Sequence, residues 1–350
     1  MKQSYFLGGT SPSGFRTDFL DQIKKHDYFT YILKGGPGTG KSTLMKKIAA
    51  SCDDESCETY FCSSDIHSLD AVVLTEKKII VVDGTSPHVF DPLLPGVSQE
   101  IINLGDFWNK KKLTAHRETI RYCSDENSRY HNRAARYLKA AGTLCSSIMY
   151  TSENSLIKNK LDSFADRMAS RILKGFKPDR YKTPEYKQLS AFTSFGYLTR
   201  DIPDYYRIYS LSDDYFAGSD RFIRKISQHI SEYGITAIIS KCNAFEETVY
   251  EHLLIPELKL AFMSSDFLNR NKYENSSDIN FTRFYDHSIL SKKKNRLSFD
   301  KKIISEIVDS ASEEINTALS VHNELEKYFI ESLEINKIEK FSENFIKKIL

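Results

Sequence analysis

The sequence has no apolar run approaching the roughly 20 residues a membrane-spanning helix needs, so no spanning segment and no membrane partner are expected. The opening residues, Met1-Lys2-Gln3-Ser4-Tyr5-Phe6-Leu7-Gly8-Gly9, lack the apolar core of a secretion signal. Strong charge of one sign is also missing: 49 Lys and Arg against 47 Asp and Glu leave a net +2. With no basic excess to neutralise phosphates, nucleic acid is not indicated as a partner. The six cysteines (Cys52, Cys57, Cys62, Cys123, Cys145, Cys242) include no C-x-x-C pair. Cys52 and Cys57 lie around an acidic turn and Cys62 ends a strand, so reduced thiols are expected rather than zinc ligands or disulfides. These absences make the cytoplasm the expected location. What remains, 40% hydrophobic and 27% charged over 350 residues, is the composition of a globular protein of about two domains.

The densest signal is Gly35-Gly36-Pro37-Gly38-Thr39-Gly40-Lys41-Ser42-Thr43, which fits G-x-x-x-x-G-K-[ST], the phosphate-binding P-loop (Walker A) motif. Residues 28–33 read as a strand and residues 44–50 as a helix, the context the motif requires. Glycines let the backbone turn its N–H groups inward around a phosphate chain, and the helix N-terminus adds partial positive charge. Lys41 is the expected contact to the β- and γ-phosphates, and the Ser42 hydroxyl an expected Mg²⁺ ligand. The expected cofactors are therefore ATP and Mg²⁺.

Residues 58–62 and 78–82 read as further strands, the last running into Asp83. Four apolar residues and then a carboxylate fit the Walker B role of holding Mg²⁺, against a plain turn before Gly84. A water-activating glutamate beside Asp83 is absent, which argues for slow or partner-stimulated hydrolysis. His88, in the polar segment after Asp83, is a candidate base or γ-phosphate sensor, or a loop histidine that only hydrogen-bonds. Asp65 and His67, in the loop after the second strand, are candidate substrate or water contacts. From Lys110 the pattern turns helical. Arg129, Arg133 and Arg136 share one helix face, with Arg117 and Arg121 spaced alike, either as a lid over the phosphates or as a solvated face. Asn159-Lys160-Leu161-Asp162 spells the guanine-reading N-K-x-D string, but inside an amphipathic helical run where it is expected to pack; ATP is preferred over GTP.

The chain also reads as duplicated. Gly40 to Ile48 aligns with Gly218 to Ile226, Leu74 to Asp83 with Ile255 to Ser264, and Phe164, Met168, Ile172 and Leu173 with Phe341, Phe345, Ile349 and Leu350 at a constant offset of 177. The second copy loses the chemistry: Lys41 is matched by Ser219, Ser42 by Asp220 and Asp83 by Ser264. No glycine precedes Gly218 over residues 211–217, an aspartate at 220 repels triphosphate, and Tyr215 and Phe216 are expected to fill the phosphate space. Leu254, Ile255, Leu258, Leu260 and Phe262 are expected to pack its sheet. Residues 174–188, polar with two prolines, read as the linker, and residues 271–296 as a mobile loop.

The expected fold is α/β: two tandem P-loop NTPase-like three-layer domains with parallel sheets, each followed by a helical unit. The first spans 1–180 with its helices at about 110–173; the degenerate second spans 189–350 with its helices at about 301–350. The strings GGPGTGKSTLMKK (35–47), CSSDIHSLD (62–70), VDGTSPHVFDP (82–92) and PGVSQEIINLGDFWN (95–109) resemble the uncharacterised tandem P-loop ATPase-like proteins of spore-forming Gram-positive bacteria. That resemblance covers nearly the whole chain and implies ATP binding by two P-loop domains, often with both loops intact. It names no substrate. A slow ATPase with one active half leads, with an unknown protein partner or acceptor. A small-molecule or nucleotide kinase and a non-catalytic nucleotide sensor stay open beside it.

Overall fold

The computed structural model describes residues 2–25, 27–53, 56–86 and 89–350. In the first half the elements are β1 (Gln3–Phe6), β2 (Gly9–Ser11), β3 (Gly14–Arg16), α1 (Phe19–Lys25), β4 (Phe29–Lys34), α2 (Lys41–Ala50), β5 (Cys57–Phe61), β6 (Leu69–Leu74), β7 (Ile79–Asp83), β8 (Gln99–Asn103), α3 (Lys110–Ala115), α4 (Arg117–Glu153) and α5 (Lys158–Ile172). The second half repeats them, α1 excepted, as β9 (Glu185–Tyr186), β10 (Ser190–Thr193), β11 (Gly196–Thr199), β12 (Arg207–Ser212), α6 (Ala217–Glu232), β13 (Ile238–Lys241), β14 (Tyr250–Ile255), β15 (Leu260–Ser265), β16 (Ser277–Asn280), α7 (His287–Ser291), α8 (Lys294–Glu331) and α9 (Ile335–Ile349).

The chain is thus α/β, with two six-stranded sheets ordered β1-β5-β6-β7-β4-β8 and β9-β13-β14-β15-β12-β16. Each strand of one sheet has its counterpart at the same place in the other. The sheets are mixed, not parallel as expected: β6 runs antiparallel to β5 and β7, and β14 antiparallel to β13 and β15. The cause is a tight four-residue connection in each half. Leu74 pairs with Ile79 and Ile255 with Leu260, and the last connecting residue, Lys78 or Lys259, turns the chain at φ 53° or 48°. That span is too short for the crossover a parallel neighbour requires. Local capping repeats as well: Asn103 accepts the Gly105 N–H and Asn280 the Thr282 N–H, each opening a short 3₁₀ turn at the offset of 177.

Buried strands must satisfy two faces, and side chains alternate between them. Tyr31, Leu33, Val72 and Val81 point to the core under α2, whereas Ile32, Ala71, Val73, Ile80 and Val82 point the other way. The second core also holds Ile238, Leu254, Ala261 and Met263, so one face of each sheet packs against the other sheet. This corrects the expected three-layer domains: helices cover the outer face of each sheet, and the inner faces share a core. Of the residues expected to pack the second sheet, Leu254, Ile255, Leu260 and Phe262 are buried; Leu258 is half-buried in the 3₁₀ turn after β14.

The helical units cross over. Leu161, Ala165 and Met168 of α5 join Phe222, Ile223 and Ile226 of α6 in one core, while Phe345 and Ile349 of α9 join Leu44, Met45 and Ile48 of α2. The two long helices, α4 and α8, pack along each other between these ends. Each half's last helix therefore completes the other half's outer layer. Two expected loops are also structured. Residues 271–296 hold β16, a 3₁₀ turn, α7 and the start of α8, so the second helical unit begins well before residue 301. Residues 174–188 include β9, paired with β13, and the Phe6 N–H donates to the Gln188 carbonyl at 2.7 Å. All six cysteines are free.

Candidate functional site

β4 delivers the chain to residues 35–40, and α2 carries it away. Gly38 and Gly40 take φ of 67° and 79°, a backbone that side-chain-bearing residues rarely adopt. Thr39, almost fully buried, donates its hydroxyl to the Gly36 carbonyl at 2.8 Å and braces the turn, with Pro37 half-buried inside it. Lys41 opens α2, and its Nζ curls back to the carbonyls of Gly35 (2.6 Å) and Gly36 (2.9 Å), 3.6 Å from Asp83 Oδ2. The Ser42 hydroxyl accepts the Leu69 N–H at 3.0 Å, tying α2 to the start of β6; Thr43 is exposed on α2.

Parallel pairing of β4 with β7 sets Leu33 opposite Asp83 and so places the carboxylate beside the loop. Asp83 is buried, and its Oδ1 accepts both the Thr85 N–H (2.8 Å) and the Thr85 hydroxyl (2.6 Å). His88 lies outside the described residues. Asp65 accepts the His67 N–H and the Ser68 hydroxyl, the bonds of a local turn, and His67 is exposed. Arg133 pairs with Glu314 of α8 at 2.7 Å, and Arg129 with Glu126 at 2.9 Å. Arg136 lies with them along an open cleft of about 480 Å³ on α4. Arg117 and Arg121 line another of about 380 Å³, walled by Phe329. The N-K-x-D string lies in α5, where Asp162 holds Arg221 with two 2.7 Å bonds and Lys160 donates to the Arg283 carbonyl.

Asp70, which sequence reasoning misses, is buried on β6 next to the Ala71 that pairs with Val82, on the strand beside Asp83. Burial, followed by the charge of Asp83, pushes its carboxyl up to about 8, with Cys62 and Lys41 acting in the other direction. Its signal is a charged residue inside the apolar run Leu69-Asp70-Ala71-Val72-Val73-Leu74. Residues of α8, from the other half, also reach the loop, where they meet Trp108 of the first half. The Gly38 N–H donates to Glu326 Oε1 of α8 at 3.0 Å, and Phe329 and Trp108 atoms both lie 3.2 Å from where a Cβ on Gly36 would stand. Nothing in the sequence near Glu326 marks it.

The corresponding turn of the second half is filled from within. Asp213 Oδ2 accepts the Ser219 N–H at 2.8 Å, and the Tyr285 hydroxyl accepts the Gly218 N–H at 2.8 Å while donating to Asp213. Phe216, at φ 66°, is buried against Phe245 and Phe267. Asp220 accepts the Tyr250 N–H at 2.8 Å and pairs with Arg224, at the place where Ser42 accepts the Leu69 N–H. Ser264, where the first half has Asp83, donates to the Glu251 carbonyl.

The donor set of the first half is hard oxygen: the Ser42 hydroxyl and the Asp83 carboxylate, with one buried amine between carbonyls. This chemistry fits a small divalent cation that keeps most of its shell as water and phosphate oxygen. Among the described residues, no group of three or more His, Cys, Asp or Glu could hold a metal by protein ligands alone. Among the described residues, no helix is long and apolar enough to cross a membrane. No protein-family model, curated protein or solved structure matches the chain.

Proposed function

We propose that the first half binds Mg-ATP through residues 35–43 and hydrolyses it slowly or on stimulation by a partner, and that the second half is a copy without a nucleotide site. The observation that carries this is the left-handed glycine turn at the N-terminus of α2 with Lys41 held 3.6 Å from Asp83. Backbone N–H groups and the helix dipole favour the phosphate chain there. Lys41 exchanges its two carbonyl partners for phosphate oxygens. Ser42 and Asp83 supply protein oxygens to Mg²⁺, which would neutralise charge on the phosphates when bound.

Gly84, in place of a water-activating carboxylate, supports slow turnover and a switch-like use of the nucleotide. The kinase alternative loses support, because Asp65 is engaged in its own turn and Arg133 is paired with Glu314. Calorimetric titration of the full chain with Mg-ATP is expected to give one site per chain. Phosphate release, measured alone and with nucleoside acceptors, is expected to be slow and acceptor-independent. Two equivalent sites, or transfer to an acceptor, would refute the proposal.

A further inference from the structure

We propose that Glu326 is an intramolecular gate on the phosphate loop: its carboxylate occupies the anion position, and polyphosphate binding must displace it. The inference rests on the phosphate-loop reading above. Glu326, Phe329 and Ile330 share one face of α8, and that face lies on the loop. Glu326 Oε1 accepts the Gly38 N–H at 3.0 Å, while Phe329 and Ile330 close over Gly36 and Gly38.

A carboxylate bonded to a backbone N–H of such a turn makes the interaction a phosphate oxygen would make. The two anions cannot share it. The second half settles the same demand differently: Asp213 of its own loop caps the helix N-terminus, and the corresponding part of α4 offers the Ser152 hydroxyl to the Tyr215 carbonyl. There the anion is built in. In the first half Gly35 stands where Asp213 would, and the anion is the Glu326 side chain of another helix, which a change of rotamer can take off the loop.

The closed arrangement is also incompletely satisfied. Trp108 Nε1 is buried with no acceptor, and its ring lies against Gly36 beside Phe329, with the two ring centroids 5.1 Å apart. The turn after α8 is pinned to the Trp108 segment, with the Asn109 N–H on the Ser332 carbonyl and the Glu334 N–H on the Phe107 carbonyl. Release of Glu326 is therefore felt by Trp108, the one tryptophan of the chain.

The test is calorimetric titration of the full chain with Mg-ATP and with tripolyphosphate, which has no base, alongside Trp108 fluorescence. The variants are Glu326→Ala, Glu326→Asp and Lys41→Met, each checked by its melting curve. Removing the gate should tighten both ligands by about fivefold or more, because the binding-competent fraction rises. Glu326→Asp keeps the charge but is too short to reach Gly38, so it should tighten them as well; simple charge repulsion would leave it like the parent. Parent binding that Lys41→Met abolishes, with no gain in Glu326→Asp, overturns the gate alone. If no variant binds polyphosphate although all are folded, the phosphate-loop reading fails and the gate with it. Binding that leaves Trp108 emission unchanged also overturns the gate.

Discussion

Lys41→Met is the sharpest single perturbation of the proposed site. The side chain is only 11% exposed, and its amine sits between the carbonyls of Gly35 and Gly36 with Asp83 at 3.6 Å. Methionine keeps the length and apolar stem but carries no donor. Loss of one charge-assisted phosphate contact costs about 1.5–3 kcal/mol, a weakening of roughly 10- to 150-fold. The upper end is expected here, because Lys41 is the side-chain cation set among the loop carbonyls beside Asp83, and methionine leaves Mg²⁺ to neutralise the phosphates there without it. Asp83 keeps its two bonds to Thr85, so the fold should persist. Calorimetry with Mg-ATP reads the affinity, and thermal melting reads the fold. Lys34→Met is the control: its Nζ donates to the Gly84 carbonyl and pairs with Asp91 outside the loop, so its effect should stay within about threefold. Equal affinities for a folded Lys41→Met and the parent would remove Lys41 from the phosphates.

Asp83→Asn should reduce Mg²⁺-dependent phosphate release more than nucleotide affinity; a Mg²⁺ titration superimposing on the parent's would remove Asp83 from the site. Restoring Ser219→Lys with Asp220→Ser should create no second site in calorimetry, because Asp213 and Tyr285 already occupy the α6 N-terminus, and should weaken the fold by releasing Arg224 from its carboxylate. Phe345→Ala in α9 should destabilise the chain by about 3–5 kcal/mol in urea unfolding and also weaken Mg-ATP binding, since its ring packs edge-on to Tyr31 of β4. His252 is fully buried, accepts the Ser264 N–H on Nδ1 and bonds Ser190 through Nε2; burial pushes its imidazole down to about 3. Its folded value is below its unfolded one, so its contribution is intact above about pH 6.5 and is lost as pH falls toward 3. His252→Asn should flatten that part of a stability–pH curve measured by urea unfolding.

The parts legible in the sequence are those encoded by local geometry. Glycine spacing placed the turn at 35–40, four apolar residues led to Asp83, and the offset of 177 between Phe164 and Phe341 marked α5 and α9 as counterparts. The parts that were not legible depend on pairing across the chain. β6 is a buried run whose alternation goes into two apolar cores, so no polar face announces its period or direction. β16 and α7 lie in residues too polar to show a stripe. Glu326 is one of many acids on an amphipathic helix, and only the fold brings it 288 positions back to Gly38.

The exchange of helices bears on why the half that lacks the G-x-x-x-x-G-K-[ST] motif is kept with the half that has it. If each half were closed on itself, the second could be lost without exposing the core of the first. Here Phe345 and Ile349 complete the layer outside α2, Ile338 stands 3.7 Å from where a Cβ on Gly40 would be, and Glu326 meets the loop. In return, α5 covers α6 through Phe164, Ala165 and Met168 and is locked there by Asp162 on Arg221. The core between the sheets draws on both halves as well. Residues 1–180 on their own would expose the apolar face of α5, the outer face around Leu44 and Ile48, and the inner face of the first sheet at once. The second half is therefore part of the first half's fold before it is any part of its regulation. That dependence is why the gate has to be tested in the full chain by single substitutions at Glu326.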